Sequence, residues 1–259
     1  MLDRIVARAA HAPRRILFPD TEGEALREAL TRLVAGKIVE PCVRPTSARG
    51  DIPEGVTVLD DGEDVDGVLT RGASPAGRSA ATFDLVELAA PTEAGERLLF
   101  FVTAGASSGA AALAGAARAA AAQFQLLCES EPRVALLSFS THGSARHRGV
   151  DMVREALDIA RDEDPTLQVG GELQGDAALV TAVAASKAPG DPVGGRANVL
   201  VFPDRNSADI GRALTGNLAG ARLAGPFSCA TARPVNSLSR GDSADAIVVT
   251  AAVTALQAG

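Results

Sequence analysis

The stretch RVALLSFSTHGSARHRGVDMVREALDIARDEDPTLQVGGEL, residues 133–173, decides the fold. RVALLSFS (133–140) and LQVGGEL (167–173) are apolar runs of strand length that do not alternate with polar residues, the pattern of strands covered on both faces. Between them Val150–Arg161 has helical period. A strand, a helix and a second strand at this spacing form a βαβ unit, which makes the two strands parallel. The rhythm extends downstream through helices near 175–186 and 207–219, the strand ANVLVFPD (197–204) and a closing helix near 243–257. Upstream lie an Ala-rich helix (109–127) and a hairpin-like interruption, FDLVEL (83–88) and RLLFFV (97–102) around the turn PTEAGE. The strands VTVLDD (56–61) and DGVL (66–69) come before that. RILFPD (15–20) is a first strand and TEGEALREALTRLVAG (21–36) its helix, with Thr21 as cap and Glu22 and Glu24 near the positive end of the dipole. The expected fold class is α/β.

A chain of 259 residues with 46% hydrophobic and 22% charged residues can bury a large core, which excludes disorder and fibrous structure. Single cores stop growing near about 250 residues, so two lobes are expected. These are residues 1–90 with 226–259 as the first α/β domain and 91–225 as the second, with a cleft between them. The net charge of −7 supplies no basic field for nucleic acid, so a few placed Arg or Lys residues must hold any anionic ligand. Trp and Tyr are absent and there are eight Phe, which argues against recognition by base stacking. Cys42, Cys128 and Cys229 are widely spaced, which fits reduced, buried thiols in the cytoplasm better than disulfides or zinc. Leu98–Ala117 is uncharged, yet it divides into a strand, a Gly/Ser turn and a helix start rather than a membrane span. The charged N-terminus lacks the apolar run of a signal peptide.

Four segments have the chemistry of a site. VTAGASSGAAALAG (102–115) follows a strand and opens a helix like a dinucleotide-binding turn, but it is incomplete, and a Tyr-x-x-x-Lys mechanism is impossible without tyrosine. LLSFSTHGSARHRG (136–149) places Ser140, Thr141, Gly143 and Ser144 at a strand's carboxyl end, where open α/β sheets bind ligands, with Arg146, His147 and Arg148 adding positive charge. His142 and His147 have no metal-ligand spacing, and no metal is expected. In VFPDRNSADIG (201–211), Asp204 and Asn206 are either helix caps or ligand contacts. In NSLSRGDSADAIV (236–248), Ser239, Arg240, Asp242 and Asp245 put a hydroxyl, a guanidinium and two carboxylates before the last helix, a set able to hold an oxyanion and move a proton.

EPRVALLSFSTHGSA (131–145), VDMVREA (150–156), GELQGDAAL (171–179), KAPGDPVGGRANVLVFPDRNSADIG (187–211) and RPVNSLSRGDSADAIVVTAAVTALQA (233–258) together resemble the phosphate acetyltransferase and phosphate butyryltransferase family. RILFPDTEGEALREAL (15–30) resembles the family's opening strand and helix. The resemblance implies two α/β/α domains with mostly parallel sheets in an isocitrate/isopropylmalate-dehydrogenase-like arrangement, and a homodimer. It implies exchange of CoA and phosphate on a short acyl group, acetyl-CoA plus phosphate giving acetyl phosphate plus CoA, without a covalent acyl-enzyme. Coenzyme A is then a substrate, with no cofactor, nucleic acid or membrane as partner. Carried over by motif, Ser239 would hydrogen-bond the reacting group and Arg240 would hold phosphate. The family's carboxylate falls at Ala246, which leaves Asp245, one residue early, and Asp242, four early, as candidate bases. A family arginine from the stretch TRGASPAGRSAA (70–81) would correspond to Arg71 or Arg78. The alternative reading is a catalytically weakened member that binds CoA or acyl phosphate, or serves as a partner protein.

Overall fold

The computed structural model describes residues 1–18, 23–44, 52–59, 81–105, 109–229, 234–239 and 241–259. In chain order these form α1 (Leu2–Ala9), β1 (Arg15–Phe18), α2 (Glu24–Ala35), β2 (Glu40–Val43), β3 (Thr57–Val58), β4 (Thr82–Glu87), β5 (Leu98–Thr103) and α3 (Ala110–Cys128). There follow β6 (Val134–Leu137), α4 (Arg148–Glu163), β7 (Val169–Leu173), α5 (Gly175–Leu179), α6 (Thr181–Lys187), β8 (Val199–Val201), α7 (Arg205–Leu218), β9 (Arg222–Ser228) and α8 (Ala244–Gln257). The expected cap Thr21, the strand at 66–69, Arg71 and Arg78 lie outside the described residues.

Met1–Pro75 and Thr231–Gly259 make one compact unit and Ala76–Ala230 a second. Residues 81–90 and 226–229, expected with the first domain, pack with the second, because β4 hydrogen-bonds to β5 on one side and β9 on the other. In the first unit β1, β2 and β3 are parallel neighbours in that order. Leu26, Leu30 and Leu33 of α2 share a core with Ala9 of α1 and with Ala244, Ile247, Val248, Ala251 and Ala255 of α8. The alanines of α8 allow these helices to approach closely. Leu2, Ile5 and Ala9 recur at helical spacing and give α1, unforeseen in the sequence, one buried face.

The second unit is a six-stranded sheet in the order β7-β6-β8-β5-β4-β9, parallel except that β4 runs antiparallel to both of its neighbours. Every residue of β5 is buried, as a strand covered on both faces requires. On one face Phe100 stacks on Phe83 at 4.6 Å and meets Phe124 of α3 edge-on at 5.0 Å. On the other, Leu99 and Phe101 join Ala135, Leu137 and Leu173 beneath Ala177 and Ala178 of α5. Helices therefore cover both faces, the α/β/α arrangement expected from the sequence. The helix expected near 175–186 is two short ones, α5 and α6. The 98–117 run divides into β5 and the start of α3, and among the described residues no helix is long and apolar enough to cross a membrane. All three cysteines are buried, and burial pushes the Cys229 thiol up to about 12.

Asp84 of β4 is mostly buried and accepts a 3.0 Å bond from Arg212 Nε of α7. Burial raises its carboxyl to about 6, and Arg212 opposes the shift without cancelling it. A carboxyl raised in the folded state binds its proton more tightly there than when unfolded. Its ionisation therefore costs stability above pH 6, and the cost is relieved as pH falls from about 6 toward 4. Urea unfolding should show the stability difference between Asp84→Asn and wild type shifting by about 2 kcal/mol between pH 4 and pH 7, in the variant's favour at pH 7. A pH-independent difference would rule out the raised carboxyl.

Candidate functional site

In the first unit the chain makes a tight turn before α8. The Ser239 amide donates to Asp242 Oδ2 at 2.7 Å, and the Asp242 amide returns a bond to the Ser239 carbonyl at 3.0 Å. Ser243 caps the helix, its Oγ accepting from the Ala246 amide at 3.2 Å. Arg240 lies outside the described residues. Of the two candidate bases, Asp242 is half-buried beside Ser239, whereas Asp245 is 69% exposed and paired with Arg32 Nη2 of α2 at 2.6 Å. The turn thus brings together a serine and a carboxylate at the positive end of a helix, suited to an anion and to accepting a proton.

In the second unit the loop from Ser138 to His147 leaves the carboxyl end of β6 and enters α4, with His147 as N-cap accepting from the Gly149 amide. Glu172, at the end of β7 and 1% exposed, holds this loop. Its Oε1 accepts from Ser140 Oγ at 2.8 Å and from the Gly143 amide at 2.7 Å, and Arg154 Nε lies 3.8 Å from its other oxygen. Ser140 Oγ also accepts from the Ala145 amide, and Ser144 Oγ from the Thr141 amide. Thr141 Oγ1 accepts from the Gln174 amide. The amides of Ser140, His142 and Ser144 bond to Ser138 Oγ, the Glu172 carbonyl and the Thr141 carbonyl. Ser140 and Thr141 are buried and Gly143 and Ser144 exposed, but every amide from 140 to 145 is engaged within the protein. The sequence pointed to these residues as ligand contacts; in the structure their hydroxyls and amides also hold the loop together.

A second buried carboxylate supports this end of the sheet. Asp191 Oδ1 accepts the amides of Val193 and Gly194, and Oδ2 accepts the Gly171 amide and lies 3.1 Å from His142 Nε2. The neighbouring strand must be glycine here: a Cβ on Gly170 would lie 2.2 Å from Asp191 Oδ1. Glu172 and Asp191 were not among the residues singled out by sequence. The available signal was a charged residue inside each of two otherwise apolar or Gly/Pro segments, GELQ and PGDPVGG, since buried carboxylates persist only with partners. Asp204 caps α7, its Oδ1 accepting from the Ser207 amide at 2.9 Å, and Asn206 is exposed on the helix's first turn.

A family model described as phosphate acetyl/butaryl transferase matches residues 88–255, and the chain belongs to this family. It is 56% identical over 128 residues to a phosphate acetyltransferase of Thermoanaerobacterium thermosaccharolyticum, covering 49% of this chain and 39% of that one. To that of Acetivibrio thermocellus it is 48% identical over 139 residues, or 54% and 42% of the two chains. The matched stretch thus spans less than half the length of these relatives. Among solved structures, a phosphotransacetylase from Streptococcus pyogenes superposes with a TM-score of 0.78 at 26% identity, covering 99% of this chain and 97% of that one. The fold is also that of the EutD phosphotransacetylase from Staphylococcus aureus, TM-score 0.82 at 24% identity, covering 100% and 98%.

Proposed function

We propose that this protein is an acyltransferase that exchanges CoA and phosphate on a short acyl group, with acetyl-CoA the simplest substrate. The observation that carries the reading is the family match through residues 88–255, which takes in both the 138–147 loop and the Ser239–Asp245 segment. In one direction a phosphate oxygen bonds to the thioester carbonyl carbon, the carbon–sulfur bond breaks, and CoA leaves as a thiolate that takes up a proton. In the other, Asp242 accepts the thiol proton, the sulfur bonds to the acyl carbon of acyl phosphate, and phosphate leaves. Asp242 is assigned as base because the turn holds it at Ser239, whereas Asp245 is drawn to Arg32. Ser239 orients the thiol or acyl oxygen, and Arg240 binds phosphate and stabilises charge developing on the acyl oxygen. The protein works in the cytoplasm as a homodimer. Support for self-association comes from α7, where Ile210, Leu214 and Leu218 follow one another at four-residue steps and are 60%, 54% and 81% exposed.

The test is to mix the purified protein with acetyl phosphate and CoA and follow thioester absorbance. Thioester is expected to form only when both are present, and its consumption should require phosphate. No product with acetyl, propionyl or butyryl phosphate, from protein that still binds CoA, would replace the enzyme reading with a binding role.

A further inference from the structure

Phe139 departs from the aromatic pattern of the chain. There are eight Phe and no Trp or Tyr, and the other seven Phe are buried or half-buried, while Phe139 is 61% exposed. Its ring stands two residues beyond the end of β6, edge-on to the His147 ring at 5.6 Å. Leaving a phenylalanine in water forgoes roughly 1.5–3 kcal/mol of burial, so the single exposed ring calls for a reason.

The histidine that the ring meets lies between two arginines in a chain of net charge −7. Arg146 and Arg148 flank His147 in sequence, both are exposed, and among the described residues neither has a carboxylate partner. Arg148 opens α4, whose N-terminal end adds a partial positive charge. Because every amide from 140 to 145 is engaged within the protein, an anion at this loop would be held by the side chains and the amide end of α4 that follow.

We infer that Phe139, Arg146 and Arg148 form the subsite for the nucleotide end of coenzyme A, adenine lying on the Phe139 ring and the phosphates on the two guanidinium groups. The inference rests on the acyl-exchange reading. Inorganic phosphate and acyl phosphate have charge but no π-face, and the pantetheine arm has neither. The adenosine bisphosphate portion alone among these reactants combines an aromatic face with phosphoryl groups. Composition argued against stacking as a means of recognition, but one exposed ring is enough for one base.

Steady-state kinetics with two thiols tests the assignment. Phe139→Ala and the Arg146→Ala/Arg148→Ala double variant should each raise KM for CoA about tenfold, as the loss of one base stack or of phosphate contacts does. Both should leave KM for pantetheine, which lacks the nucleotide, unchanged. Unaltered KM for CoA, or equal increases for both thiols, overturns the subsite. Calorimetric titration with adenosine 3′,5′-bisphosphate gives a readout independent of turnover: binding to wild type that both variants lose supports the subsite, and no binding to wild type overturns it. If wild-type protein makes thioester from neither thiol, the acyl-exchange reading fails and the titration alone decides the subsite.

Discussion

Asp242→Asn is expected to lower the rate of CoA acetylation by about two to four orders of magnitude, the usual contribution of a positioned general base. Asparagine retains an oxygen to accept the Ser239 amide, so the turn before α8 should keep its shape and the unfolding midpoint should stay near wild type. Asp245→Asn is the paired experiment. It removes an exposed ion pair to Arg32, worth less than about 1 kcal/mol, and should leave kcat within about twofold. A severe defect in Asp245→Asn beside a mild one in Asp242→Asn would transfer the proton-accepting role to Asp245.

Glu172→Ala should be the most destabilising single change at either candidate site, by about 3 kcal/mol in chemical denaturation. The carboxylate is 1% exposed and accepts from both Ser140 Oγ and the Gly143 amide, so its removal strands two donors and leaves a cavity under the loop. Glu172→Gln keeps the volume and one acceptor oxygen and should lose less. If Glu172→Ala costs under about 1 kcal/mol, the loop is held by its own turn bonds and not by the β7 carboxylate.

The fold was legible where one physical signal dominated. The buried runs 134–137, 169–173 and 199–201 had no competing reading, and the hairpin of β4 and β5 followed from two apolar runs around a Gly-containing turn. β9 was missed because Gly225 and Pro226 interrupt RLAGPFS, which is tolerable on the edge strand this proves to be. α1 was read only as a charged N-terminus, although Leu2, Ile5 and Ala9 already held its buried face. The candidate site divides along the same line. That residues 138–147 form a loop at a strand's carboxyl end could be read locally. That its hydroxyls turn inward depends on Glu172, 29 to 32 residues away along the chain, and no local spacing encodes that partner. The choice between Asp242 and Asp245 likewise depends on Arg32, a residue from the other end of the chain.

The late arrival of α8 has a consequence for biosynthesis. Ala76–Ala230 is continuous and can fold as soon as it has left the ribosome, at elongation rates of about 5–20 residues per second. The other unit cannot: Leu26, Leu30, Leu33 and Ala9 await Ile247, Val248 and Ala251, which are made after Ala76–Ala230. Ala76–Ala230 can therefore be completed before the unit whose first part precedes it. Until α8 emerges, Leu26, Leu30 and Leu33 lack the helix face that covers them in the folded unit.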